Sequence, residues 1–226
     1  MRISVVIPAL NEEANIARAV SSAWQAGAAE VVVADGGSSD DTRSLAENRG
    51  ATVVTCQPGR ALQQNAGAVE ATGDALLFLH ADNALSPTCG EQITQFLHHK
   101  DRWGGAFRQS IEAPTAAFRW LELGNNARVK LRRSAYGDQG IFCRTDVFRE
   151  LGGFEEVPLM EDVLLLKQLR RLSRPALLPG PIYVSPRRWQ KKGIIRQTLL
   201  NWSILTRFAL GATPEQLVAR YRRHDK

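Results

Sequence analysis

The chain reads as an α/β protein built on a doubly wound, mostly parallel central sheet with helices on both faces. Three observations predict this. Four short apolar runs, at residues 3–7, 31–34, 53–56 and 75–79, open the sequence, and none alternates with polar residues. Strands buried on both faces of a parallel sheet look this way. The stretches between the runs are rich in Ala, Glu, Arg and Gln, and they end on Gly27, Gly50 and Gly73. Glycine is the residue expected just past a helix C-terminus, so the opening pattern is βαβαβαβ.

The elements follow in order. Helices are expected over 11–26, 41–49 and 61–71. Ser86-Pro87 opens another to about residue 99, residues 103–111 read as a strand, and Pro114 begins a helix carrying Phe118, Leu121 and Leu131 toward Arg132-Arg133. A helix is expected over 161–172 and a proline-interrupted extended segment over 176–184. Residues 194–210 carry Ile194, Thr198, Leu199, Trp202 and Leu205 on one face with Leu200, Ile204 and Phe208 beside it, an unusually wide apolar stripe. This divides the chain into one catalytic-sized domain, 1–190, with halves 1–100 and 101–190, and a C-terminal amphipathic helical extension, 191–226.

Composition narrows the function classes. With 226 residues, 44% of them hydrophobic, the chain buries a substantial core and disorder is not expected. Cys56, Cys89 and Cys143 are too few and too scattered for a disulfide framework or a zinc knuckle. The formal charge of +6 suits nucleic acid, an anionic membrane or a phosphorylated substrate, and alone does not choose. The basic clusters at 128–133, 167–174, 187–196 and 220–226 lack interleaved aromatics apart from Trp189, so nucleic acid is not an expected partner. There is no signal-peptide pattern and no membrane-spanning run, which places the protein in the cytoplasm.

In open parallel sheets, ligands sit beyond the carboxyl ends of the strands. Four such ends carry marked residues: Pro8-Ala9-Leu10-Asn11-Glu12-Glu13, Asp35-Gly36-Gly37-Ser38, Gly59-Arg60 with Gln64-Asn65, and His80-Ala81-Asp82. Asn11 with Glu12-Glu13 also fits a helix start, and Ser38 with Asp41 fits a capping box. Asp35, at a strand end before two glycines, is poorly placed to cap and well placed to accept from an imide or a ribose hydroxyl. Asp82 follows the most apolar strand, where one or two carboxylates hold Mg²⁺ or Mn²⁺ against diphosphate oxygens. His80 fits a softer second ligand or a hydrogen-bonded core histidine. Glu161-Asp162 opens a helix and suits either the macrodipole or, for Asp162, general-base chemistry.

This ordered set, together with Gly137-Asp138-Gln139-Gly140 and Arg187-Arg188-Trp189, resembles the family 2 glycosyltransferases of the GT-A fold over roughly residues 1–190. It is most similar to a branch of small single-domain bacterial enzymes sharing the His-Ala-Asp, Gly-Asp-Gln-Gly and Arg-Arg-Trp signatures. The resemblance implies that Pro8, Ala9, Asn11, Glu12 and Ala81 line a nucleotide cleft, that Asp35 contacts the base, typically uracil, and that Arg60 reaches toward the nucleotide. Asp82 matches the second carboxylate of the family's metal-binding Asp-x-Asp motif, with His80 in the place of the first. Asp162 matches the catalytic base, with Glu161 beside it. Asp138 and Gln139 fall on the acceptor or donor-sugar side, Arg188 goes to the diphosphate and Trp189 to stacking on acceptor or sugar.

The implied activity is metal-dependent, inverting transfer from a nucleotide-sugar, a UDP-sugar above all, to a hydroxyl. The implied acceptor class includes lipid-linked alcohols, with 194–210 lying on a membrane, on the domain or on a second subunit. A nucleotidyltransferase fits less well, because Pro8-Ala9-Leu10-Asn11 is not a glycine-rich phosphate loop. A nicotinamide oxidoreductase lacks its Gly-x-Gly-x-x-Gly. A non-catalytic nucleotide-sugar-binding protein stays open.

Overall fold

The structure is a computed structural model. It describes the backbone of residues 1–132 and 137–223, and their side chains except those of 128–132, 188, 219, 220, 222 and 223. One eight-stranded sheet runs through it in the order β3-β2-β1-β4-β7-β6-β8-β5. The parallel half comprises β1 (Ile3–Ala9), β2 (Glu30–Asp35), β3 (Thr52–Thr55) and β4 (Ala75–Phe78), joined through α1 (Ile16–Gln25), α2 (Thr42–Glu47) and α3 (Arg60–Glu70). The apolar runs of β1, β2 and β4 are unbroken because both of their faces are covered, whereas β3, at the sheet edge, is exposed at Thr52 and Thr55. Ile3, Val5 and Ile7 of β1 enter one buried cluster and Val6 enters the other, while Leu77 and Leu76 of β4 divide the same way.

The second half is mixed. β5 (Asn83–Leu85), α4 (Cys89–Leu97), β6 (Gly104–Ile111) and α5 (Ala116–Arg132) are followed by a 3-10 turn at Gly137–Gln139, β7 (Ile141–Arg144) and α6 (Thr145–Glu150). Then come α7 (Glu161–Leu172), β8 (Ala176–Val184), α8 (Arg187–Lys192), α9 (Ile194–Ala209) and α10 (Pro214–Arg223). β7 inserts antiparallel between β4 and β6, β8 runs parallel to β6, and β5 closes the edge antiparallel to β8.

Two local expectations are corrected. The first helix begins at Ile16 rather than Asn11 because Asn11 has φ of 53° and the N–H groups of Asn11, Glu12 and Glu13 donate to Ser38 Oγ, Thr42 Oγ1 and Asp40 Oδ2. Donors spent on a neighbouring loop are not free to begin a helix. The Ser38–Asp41 capping box does not form either: Asp41 is the N-cap without a side-chain bond, and Ser38 Oγ turns back to Asp35.

The wide stripe of α9 splits between two environments. Leu200 and Ile204 join Met160 and Leu217 in a small third cluster, whereas Ile195, Leu199 and Trp202 are exposed to 77%, 58% and 63%. Among the described residues no helix is long and apolar enough to cross a membrane.

Candidate functional site

The β1 and β2 ends are tied together by short polar side chains. Asp35 is fully buried, and its carboxylate accepts from the N–H groups of Gly37 (3.1 Å) and Ser38 (3.0 Å) and from Ser38 Oγ. Asp35 caps no helix, and the glycines let the loop curl back onto its carboxylate, with Gly37 at φ of 90°. Ser38 Oγ accepts from Asn11 N–H at 2.9 Å, and Asn11 Oδ1 accepts from Ser39 N–H at 2.9 Å. Asparagine tolerates the left-handed backbone that this loop needs. Pro8 is half-buried at the end of β1, Ala9 is buried beside Asp35, and Ala81 is buried in the main core rather than open to a ligand.

Glu12 and Asp82 share one cation. The Arg187 guanidinium, at the start of α8, lies 2.6 Å from Glu12 Oε1 and 3.3 Å from Asp82 Oδ2. Its pKa rises, first through the bond to Glu12 and also through the charge of Asp82. Polar contacts thus run from Asp35 through Ser38 to Asn11, and from its chain neighbour Glu12 through Arg187 to Asp82.

Asp162 sits on the first turn of α7, behind Met160 at φ of 75°, a backbone state a non-glycine residue rarely adopts. Gly137 N–H donates to Asp162 Oδ2 at 2.6 Å, and Val163 N–H donates to Oδ1 at 2.7 Å. A Cβ built on Gly137 would stand 2.6 Å from His80 Nε2 and 3.4 Å from Asp162 Oδ2, so glycine is required where these three groups meet. The His80 imidazole is thereby set against Gly137 on the Asp162 side.

Arg60 does not reach for a ligand alone. Its Nη1 lies 3.2 Å from Glu161 Oε1, and Glu161 is almost wholly buried. Burial pushes the Glu161 carboxyl up; Arg60 pulls it back and Asp162 pushes it up again, leaving it above its ordinary value.

One cleft of about 930 Å³, open mouth included, is lined by His80, Asp82, Asp138 and Asp162. Arg60, Trp189 and residues of α9 and α10 complete it. Gln139 belongs elsewhere: fully buried, its amide donates to Phe107 O at 3.4 Å, so its expected place on the cleft is corrected. Trp189 lines the cleft but is 7% exposed and packs edge-on against Phe118, centroids 6.2 Å apart, which leaves little ring face for stacking. The Arg188 side chain and the basic segment 128–133 lie outside the described side chains.

Residues 4–149, more than half of the chain, match the profile of Glycosyl transferase family 2. The chain belongs to that family. No curated protein matches the sequence. Among solved structures, TarS from S. aureus superposes with a TM-score of 0.65 at 19% identity, over 82% of this chain and 37% of TarS. TarS 1–349 in complex with UDP-GlcNAc gives 0.64 at 20% identity, over 82% of this chain and 58% of that one. Glucosyl-3-phosphoglycerate synthase from Mycobacterium tuberculosis, with Mn²⁺, UDP and glucosyl-3-phosphoglycerate, gives 0.58 at 23%, over 81% and 70%. These likenesses are of fold, the GT-A arrangement of a mostly parallel sheet, and the chain spans less than two thirds of either TarS structure.

Within this family 2 chain, two site residues escape a reading of the sequence. The sequence does not single out Arg187, whose guanidinium pairs with Glu12 and Asp82. Gln63, 5% exposed, donates from Nε2 to Ala9 O at 2.7 Å and Ala34 O at 3.0 Å, fastening the ends of β1 and β2. Its signal was only its place one turn into a helix after Gly59.

The metal question turns on the donor set. Among the described residues no group of three or more His, Cys, Asp or Glu side chains could hold an ion. Asp82 and Glu12 nevertheless already face one positive charge, and a hard cation taking most of its ligands from diphosphate oxygens and water needs only one or two carboxylates. The residues fit Mg²⁺ or Mn²⁺ arriving with a diphosphate.

Proposed function

We propose that the chain is a glycosyltransferase moving a sugar from a UDP-sugar to an acceptor hydroxyl with inversion at the anomeric carbon. The observation that carries this is that Asp82 and Asp162 open onto one cleft. The fold shared with proteins solved with UDP, UDP-GlcNAc and Mn²⁺ supports it.

The nucleotide lies over the β1 and β2 ends, between Pro8, Asn11 and the turn held by Asp35, with the base edge against that turn. Asp82 would hold a divalent cation, Mg²⁺ or Mn²⁺, which would supply positive charge to offset that gathering on the departing diphosphate. Arg187 leaves Asp82 as donor binds and turns to the diphosphate, with Arg188 beside it. Asp162 takes the proton of the acceptor hydroxyl while that oxygen bonds to the anomeric carbon from the face opposite UDP; the bond to the diphosphate oxygen breaks in the same step. Gly137 and Val163 hold the carboxylate in position, and His80 and Asp138 flank the sugar.

Residues 1–190 form the catalytic domain and 191–226 an extension. The protein works in the cytoplasm, and Ile195, Leu199 and Trp202, flanked by Lys191, Arg196 and Arg207, rest on an anionic membrane face. A screen of nucleotide-sugars with Mn²⁺ and Mg²⁺ tests the activity. Release of UDP from one donor supports it, and release of inorganic diphosphate with nucleotidyl transfer contradicts it.

A further inference from the structure

Beyond Asp162 the cleft changes character. Leu159 and Met160 before α7, Ile204 and Leu205 of α9 and Tyr221 of α10 line it, and Met160 and Ile204 belong to the small third apolar cluster. The C-terminal helices thus supply a wall of the cleft that also holds Asp82 and Asp162.

Two buried polar atoms on this wall have no hydrogen-bond partner. Gln197 is 2% exposed; its Nε2 donates to Asn201 Oδ1 at 2.8 Å, while its Oε1 is unpaired. Trp189 Nε1 is likewise buried and unpaired. Both residues line the cleft. Buried polar groups are normally satisfied, so an acceptor and a donor left open in one chamber point to a ligand that completes them.

The pair has a definite chemistry. A carbonyl-type oxygen repels phosphate and carboxylate, and an indole N–H only donates. One oxygen to receive a hydrogen bond and one N–H to give one suit a neutral hydroxyl or amide. The aliphatic wall suits an apolar body.

We infer that the acceptor is an uncharged amphipathic alcohol. Its apolar portion lies along Leu159, Met160, Ile204 and Leu205, its second polar group is bound by Gln197 and Trp189, and its reactive hydroxyl meets Asp162. This rests on the glycosyltransferase reading, with Asp162 as the base.

The test compares octyl and p-nitrophenyl glucosides with glucose and with anionic 3-phosphoglycerate, using the donor found in the nucleotide-sugar screen and following UDP release and product mass. The glucosides are expected to exceed both other probes in kcat/KM by about tenfold or more. Equal or better use of glucose or 3-phosphoglycerate overturns the inference. Gln197→Leu is expected to raise the KM for octyl glucoside about tenfold with kcat within about twofold, because the interaction holds the substrate alike in ground and transition states. Leu205→Ser, at a half-buried position and with its folding checked by thermal unfolding, is expected to raise the KM for octyl glucoside about fivefold and that for methyl glucoside by less than about twofold. Equal effects on both overturn the apolar assignment. Calorimetry with UDP separates the two levels: if wild-type protein neither binds UDP nor releases it from any UDP-sugar, the glycosyltransferase reading fails. If UDP binds and the glucosides hold no advantage, only the acceptor inference fails.

Discussion

Replacing Arg187 with alanine should have opposite effects on two ligands. The guanidinium stands 2.6 Å from Glu12 Oε1 and 3.3 Å from Asp82 Oδ2, and its side chain is about half exposed. At such separations, with the water-like dielectric suited to a half-exposed group, each contact is worth about 1 kcal/mol, so the two together give about 2 kcal/mol. A divalent cation binding at Asp82 without nucleotide must first displace this resident charge. Removing it leaves two carboxylates facing each other, and Mn²⁺ affinity without nucleotide should rise about tenfold or somewhat more, since 1.4 kcal/mol is a factor of ten. Affinity for UDP should fall, because the diphosphate loses a cationic partner. Calorimetric titration of Mn²⁺ and of UDP into wild-type and Arg187→Ala protein reads both quantities. Unchanged or weaker Mn²⁺ binding in the variant would refute the reasoning.

Three further outcomes are expected. Gly137→Ala places a methyl 2.6 Å from His80 Nε2 and should cost about 1–3 kcal/mol by overpacking, with loss of turnover, as measured by denaturant unfolding and UDP release. Gln63→Leu removes the side-chain donor shared by the carbonyls of Ala9, which keeps the Gly36 N–H, and Ala34, and should cost about 1 kcal/mol or more in the same unfolding assay. The Glu161 carboxyl is raised by burial, so the stability it contributes is complete below 4.5 and is lost as pH climbs through the raised folded value. Glu161→Gln removes that loss, and the variant's stability relative to wild type should improve as pH rises above 4.5, whereas a pH-independent difference contradicts the burial argument.

The parallel half was legible because four apolar runs without alternation open the chain, the first three each followed by a helix and a glycine. α7 was equally plain, since its span, Glu161–Leu172, carries acids at the start and arginines at the end, as the macrodipole favours. β7 and β5 were not legible. Their pairing, β7 (Ile141–Arg144) with β4 and β6 and β5 (Asn83–Leu85) with β8, depends on strands distant in sequence. The site divides in the same way. Asp82 and Asp162 could be picked out because each follows a local signal, a strand end or a helix start. The bond between Arg187 and Glu12 joins residues 175 apart, and no local rule distinguishes Arg187 from Arg188. Asp35 was found for an incomplete reason: its place at the strand end is as expected, but its carboxylate closes onto its own turn.

The central claim is that the Asp162 carboxylate removes the proton from the attacking alcohol. Asp162→Asn keeps an oxygen for the Gly137 N–H, gives up the acceptor of the Val163 N–H and abolishes the base, and circular dichroism and thermal unfolding check its fold. With the donor and acceptor that wild-type protein uses, UDP release by this variant should fall by about 10²–10⁴. Turnover equal to wild type in a folded Asp162→Asn protein would contradict the account.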